Sequence, residues 1–196
     1  ENFNPLTSSQ QEMVLRTAST VYLLAGQSDP AYYDRAIEAY RRHIAFLDKT
    51  GPNVNPDLRM QAKNNLASLL VDMVEPPRAS EAMPLIYEAI ALMKSKGQKD
   101  PAIIDTYGWV LVLSGRLDDG IDQLREALRL APTMVDANYH MAEAQVRKQN
   151  AQAALFHVNE AIKGVKERSG SDMPVDPVMV KRIEETQRKA ERLRGR

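Results

Sequence analysis

Three histidines and 26 acidic residues in a chain of 196 are the first candidates for chemistry. His140 with Glu143, and His157 with Glu160, repeat a His-x-x-Glu spacing that puts both side chains on one helix face. Two such pairs on facing helices are the usual arrangement of a di-metal carboxylate centre. There is no cysteine, so thiolate nucleophiles, Fe–S clusters and Cys-ligated zinc are excluded. Gly-x-Gly-x-x-Gly, Walker-type loops, Gly-x-Ser-x-Gly elbows and His-Glu-x-x-His are all absent from the sequence. Carboxylates such as Glu88 and Asp119 have basic neighbours and read as solvated helix faces. No catalytic residue is expected, and the chain reads as not an enzyme.

Composition narrows the class further. Lys and Arg number 26 against 26 Asp and Glu, and this zero net charge removes long-range attraction to nucleic acid or an anionic membrane. Hydrophobic content of 43% and charged content of 27% are those of a globular chain long enough to bury a core. No run approaches the roughly 18 apolar residues of a membrane-spanning helix, so no membrane insertion is expected. The opening Glu1-Asn2-Phe3 lacks both an initiator Met and a leader, which reads as an excised domain or a mature form.

The elements that carry these residues are helical. Loop signals fall at Ser28-Asp29-Pro30, Thr50-Gly51-Pro52 with Pro56, Pro76-Pro77, Gly97 to Pro101, Pro132, and Gly170 to Pro177. Segments of helical period and length lie between them. Val110-Leu111-Val112-Leu113 alone has strand character, and it sits inside a longer helical pattern.

A fixed period runs through the helices. Tyr107-Gly108, Gly120 and Ala127 recur 34 residues later as Met141-Ala142, Ala154 and Ala161. Small residues such as Gly108, Ala142 and Ala154 allow two helices to approach closely, and Leu111, Leu124 and Met141 fill the space beside them. Upstream, Leu66-Ala67 pairs with Ala82, Ile86 and Ala89, with three extra residues at Glu75-Pro76-Pro77. Thr17-Ala18 pairs with Ala36, Tyr40 and His43, with six extra residues around Gln27 to Tyr32. This period and placement resemble the tetratricopeptide repeat over about residues 11–166.

The resemblance implies an all-α fold: a right-handed α-solenoid of about four helix hairpins plus a C-terminal capping helix, in one domain over 1–196. The repeats are expected at about 11–49, 60–96, 101–134 and 135–168, with the cap at about 177–194. Val180, Ile183, Ala190 and Leu193 form the cap's thin apolar stripe. Three residues depart from the family pattern: His43 replaces a small Ala, and Asn138 and Lys63 replace bulky apolar residues. They predict locally polar packing, with His43 a core histidine.

In this repeat class the first helix of each hairpin lines the concave side. The expected groove residues are Tyr22, Asn64, Ser68, Asp105, Trp109, Val112, Tyr139, Glu143 and Arg147, alongside Leu15, Ser19, Val71 and Val146. Trp109 and Tyr139 would form an exposed aromatic pair suited to a peptide segment, although Trp109 can also serve as packing between hairpins. His140 and Glu143 fall on the concave side of a first helix, and His157 and Glu160 on the outer, solvated side of a second. The two pairs point apart, so neither a metal nor a cofactor is expected. Asp105 would repel a carboxylate, which argues against a clamp for chaperone tails.

The resemblance therefore implies a non-catalytic scaffold or adaptor that binds a protein or peptide segment. Asp105-Thr106-Tyr107-Gly108-Trp109 resembles repeats of bacterial envelope and exopolysaccharide-export proteins, which points to a bacterial multiprotein assembly. The compartment, periplasm or envelope against cytoplasm, stays open. So do two alternatives: a helper domain of a multidomain enzyme such as a transferase, and a self-associating scaffold or homo-oligomer. Lys181 to Arg196, with seven basic and three acidic residues, reads as a solvated face or as a contact for an anionic partner.

Overall fold

The computed structural model describes residues 5–51, 55–169 and 175–195. Glu1-Asn2-Phe3, Pro52 and Gly170 to Pro174 of the sequence reading lie outside them. The chain divides into two compact units, Glu1–Gly97 and Gln98–Arg196. All regular structure among the described residues is helical, including the segment around Val112.

The first unit holds α1 (Ser8–Ser28), α2 (Tyr32–Lys49), α3 (Pro56–Ser68), a π-helical turn (Leu69–Met73) and α4 (Ala79–Ser95). Thr7 and Gln10 close α1 with a capping box. Asn55 caps α3 ahead of Pro56, whose missing N–H costs nothing in the first turn. Hairpins α1–α2 and α3–α4 form, and α3 packs back on α2. At the hairpin contacts Ala36, Ala67 and Ala82 are fully enclosed.

The extra residues of this unit go mainly into helices. The α1–α2 connection, Asp29–Ala31, has the same three-residue length as Ser114–Arg116 in the third repeat. The six extra residues instead lengthen α1 and α2, because helical residues satisfy their own backbone polar groups. In the second repeat one extra residue is absorbed by the π-helical turn and two by Val74–Arg78. A π turn is how a helix takes one insertion without breaking.

The second unit holds α5 (Pro101–Leu113), α6 (Leu117–Leu130), α7 (Val135–Arg147), α8 (Ala151–Arg168) and α9 (Pro177–Arg194). At the α5–α6 crossing the backbones approach closely: a Cβ placed on Gly120 would lie 2.7 Å from the Gly108 carbonyl oxygen. Both hairpin turns use the same geometry 34 residues apart. The Arg116 N–H donates to Leu111 O and the Asn150 N–H to Gln145 O, the long bond of a Schellman cap. Gly115 takes φ 82° there, and Gln149 takes φ 60°.

Helix α9 packs on α7 and α8, in the place a further first helix would take. Its buried face is Met179, Ile183, Thr186 and Ala190, while Val180 and Leu193 are only half-buried. Met179 and Ile183 join Val135, Tyr139, Ala142, Val158 and Ala161 in one apolar cluster.

Candidate functional site

Helices α5, α7 and α9 lie side by side, and the side chains between them form two buried polar links. In the first, His140 Nδ1 lies 2.9 Å from Asp105 Oδ1, with both residues under 4% exposed. The Trp109 ring stacks on the His140 imidazole at 4.7 Å and 13°, and Tyr139 tilts against both. In the second, Glu143 Oε1 accepts from Thr186 Oγ1 at 2.6 Å and Lys189 Nζ at 2.7 Å. Asp105, His140 and Glu143 each sit at an inner position of a first helix, so a ladder of ionisable groups ties three neighbouring helices.

The exposed aromatic pair is corrected by this geometry. Trp109 is 5% exposed and Tyr139 9%, so both are packing side chains between helices. Asp105, Val112 and Glu143 are buried too. Close approach of α5, α7 and α9 covers side chains that helix spacing alone would leave open. Arg147 is the exposed exception: its guanidinium lies over the Trp109 ring, 5.4 Å from the centroid. The Lys189 side chain is 45% exposed, with its ammonium held by Glu143. The accessible chemistry of this face is therefore cationic, on a floor that is aromatic and hydrogen-bonded.

In the first unit the corresponding positions are distributed differently. Tyr22 is half-buried and stacks on Tyr32 at 6.4 Å. Asn64 is buried, and its Oδ1 has no hydrogen-bond partner among the described residues. Ser68 donates to Asp72 Oδ2 at 2.9 Å across the π-helical turn. Among the flanking positions, Leu15 and Val146 are half-buried, while Ser19 and Val71 are buried.

The histidines occupy three environments. His43 is enclosed, with Nε2 3.1 Å from Glu12 Oε1 and, among the described residues, no partner at Nδ1; burial holds its pKa below the ordinary value. His157 is not on a solvated face: it is half-buried, with Nδ1 3.0 Å from Asn138 Oδ1, and burial lowers its pKa as well. Asn138 in turn donates to Pro132 O and Met134 O, which explains how a polar residue occupies a packing position. Lys63 solves the same problem differently, reaching Glu88 at 2.7 Å and Asp48 at 3.3 Å from a buried stem. Among the described residues no group of three or more His, Asp or Glu is placed to hold a metal ion, and no helix is long and apolar enough to cross a membrane.

Several solved structures share this architecture. A protein from Podosopora anserina, described as a putative kinesin light chain with nearly identical TPR-like repeats, aligns over 94% of this chain and 88% of its own, with TM-score 0.62 and 15% identity. A tetratricopeptide repeat protein from Parabacteroides merdae ATCC 43184 aligns over 95% of this chain, with TM-score 0.57 and 16% identity. The fold is the tetratricopeptide-repeat fold. YrrB, a TPR protein described as having an unusual peptide-binding site, aligns over 83% of this chain and 84% of its own, with TM-score 0.51 and 21% identity. The chain spans 61% of the length of the Parabacteroides tetratricopeptide protein. No protein-family model and no curated protein matches the sequence.

Within that fold, Gly108, Gly120, Ala142 and Ala154 are the small residues of the tetratricopeptide hairpins, and their close contacts set the helix crossings. Sequence spacing put Asp105, Trp109, Tyr139 and Glu143 on first helices; it missed Thr186 and Lys189, the partners of Glu143. The one available signal was a Thr and a Lys three residues apart on the cap, facing the preceding first helix.

Proposed function

We propose that this chain is a non-catalytic interaction scaffold that holds a segment of another protein against the first-helix face of its second unit. The observation that carries this reading is Arg147, an exposed guanidinium braced on the buried Trp109 ring. A cation fixed by its own scaffold loses little freedom on binding, and Arg on an aromatic is a frequent anchor at protein interfaces. Its charge favours a partner segment with a carboxylate at that point. Asp105, Trp109, Val112, Tyr139 and Glu143 set the floor on which that segment lies, and Tyr22, Asn64 and Ser68 are the equivalent positions in the first unit. The peptide-binding site named for YrrB supports the same kind of use.

The bacterial envelope or export setting rests on the Asp105-Thr106-Tyr107-Gly108-Trp109 segment, and we hold it as part of the same proposal. The test is capture of partners from a bacterial lysate by the immobilised chain and by Arg147→Glu, with helicity compared by circular dichroism. A partner held by the parent and lost by the variant, at equal helicity, supports the reading. Equal capture by both removes it.

A further inference from the structure

We propose that the exposed face of α1 pairs with the same face of a second copy of this chain. Large apolar side chains that stand out from the surface are concentrated there. Of the eight among the described residues, Met13, Val14, Val21 and Leu24 lie on α1 and Leu6 just ahead of it, each 50–56% exposed. Val14, Thr17, Val21 and Leu24 follow one another at three- and four-residue steps, which makes a continuous stripe along the helix. Met13, Val14, Thr17, Ala18, Val21 and Tyr22 line a shallow depression of about 410 Å³ on it.

The repeat logic shows what kind of object this face accepts. Helices α3, α7 and α9 each pack on the helix before them: α2, α6 and α8. Among the described residues α1 has no such cover, although its stripe is apolar in the same way. The surface thus seats a helix with an apolar face.

Charge selects a second copy as that helix. Between Thr7 and Ser28 the charged residues are Glu12 and Arg16, which pair with each other at 3.3 Å. Glu12 also turns towards buried His43, away from the stripe. Two α1 stripes can therefore meet without bringing like charges together. Beside the stripe, the groove between α1 and α2 is rimmed by Asp34, Glu38, Arg35 and Arg42. Glu38 is paired with Arg42 and Asp34 with Arg78, so the rim carries no unbalanced acid to repel its own copy. A neutral apolar stripe with a mixed rim is self-complementary, and two-fold pairing closes at a dimer.

The test is the solution mass of the chain by sedimentation equilibrium from about 1 μM to about 1 mM, the range of a modest interface. The mass is expected to rise from one chain to two, and a Val14→Glu/Val21→Glu variant to stay at one chain with unchanged helicity. Both side chains are exposed, so the variant keeps its core. Because the chain has no cysteine, Thr17→Cys provides a second reading: oxidation should cross-link it far more than Lys163→Cys, an exposed site on α8. A parent that stays one chain throughout overturns the proposal. A variant that still dimerises, or equal cross-linking at both cysteines, places the contact elsewhere and also overturns it.

Discussion

Asp105 Oδ1 and His140 Nδ1 lie 2.9 Å apart, buried between α5 and α7, with the Trp109 ring stacked on the imidazole. This contact ties neighbouring first helices through a polar bond where most repeat contacts are apolar. Removing the carboxylate in Asp105→Ala takes a partner from a buried ring nitrogen, at a cost of about 1–3 kcal/mol. For a chain of this size each kcal/mol lowers the unfolding temperature by roughly 2–4 °C. Asp105→Asn should lose less, because the amide oxygen still accepts. Trp109→Ala should cost about 3–5 kcal/mol, so loss of partner binding in that variant would report unfolding and not an anchor. Thermal unfolding followed by circular dichroism separates the three. Equal stability of Asp105→Ala and the parent would show that the bond is not structural.

Gln149 holds a left-handed backbone, φ 60°, at the turn where the preceding repeat has Gly115 at φ 82°. A side chain there costs about 1–2 kcal/mol relative to glycine. Gln149→Gly should therefore raise stability by up to about 1 kcal/mol, the remainder being lost to the freer unfolded chain. Gly115→Ala should lower it by about 1 kcal/mol. Denaturant midpoints of the two variants should move in opposite directions, and a fall for both would contradict the strain argument.

Glu143 is the link that docks α9, accepting from Thr186 and Lys189. Glu143→Ala leaves Thr186 buried without that acceptor and should weaken the docking by about 1–3 kcal/mol. Hydrogen exchange should then accelerate in α9 before it does in α5 or α6. Deleting α9 entirely bares the cluster of Val135, Tyr139, Val158 and Ala161, so truncation at Ser169 should aggregate. For the same reason that truncation cannot isolate an electrostatic role for the basic C-terminal run. Unaltered exchange in Glu143→Ala would show that α9 is held by its apolar face alone.

Burial pushes the pKa of both His43 and His157 below the ordinary histidine value of 6.5. The unfolded chain then binds protons first as pH falls, so their contribution is complete above about pH 6.5 and is lost progressively below it. Unfolding midpoints should drop between about pH 7 and pH 5, and the drop should be smaller in a His43→Asn/His157→Asn variant. Measured midpoints with the same pH slope in both proteins would exclude these two residues as its source.

Sequence alone determined the repeat. Gly108, Gly120, Ala142 and Ala154 recur at fixed spacing because two helices of a hairpin can approach only where side chains are small, and that requirement is local. The loop signals mark the chain breaks between α1 and α2, α2 and α3, α4 and α5, and α6 and α7, since each acts on its own stretch of backbone. It also placed Asp105, Trp109, Tyr139 and Glu143 on the inner side of the first helices, because helical period fixes a residue's direction from its axis.

Only the tertiary structure decided how far those side chains are covered. Period gives direction, and coverage depends on how closely the next helix approaches; α7 and α9 close over Trp109, Tyr139 and Glu143 and leave Arg147 in the open. The partners Thr186 and Lys189 lie 43 and 46 residues from Glu143, beyond the reach of any local pattern. His157 likewise looked solvated by position, and it is half-buried because Asn138 on the neighbouring helix reaches its ring nitrogen. Insertions behaved the same way: their number was written in the spacing, but a lengthened α1 and a π-helical turn, more than longer loops, were chosen by packing and by backbone hydrogen bonding.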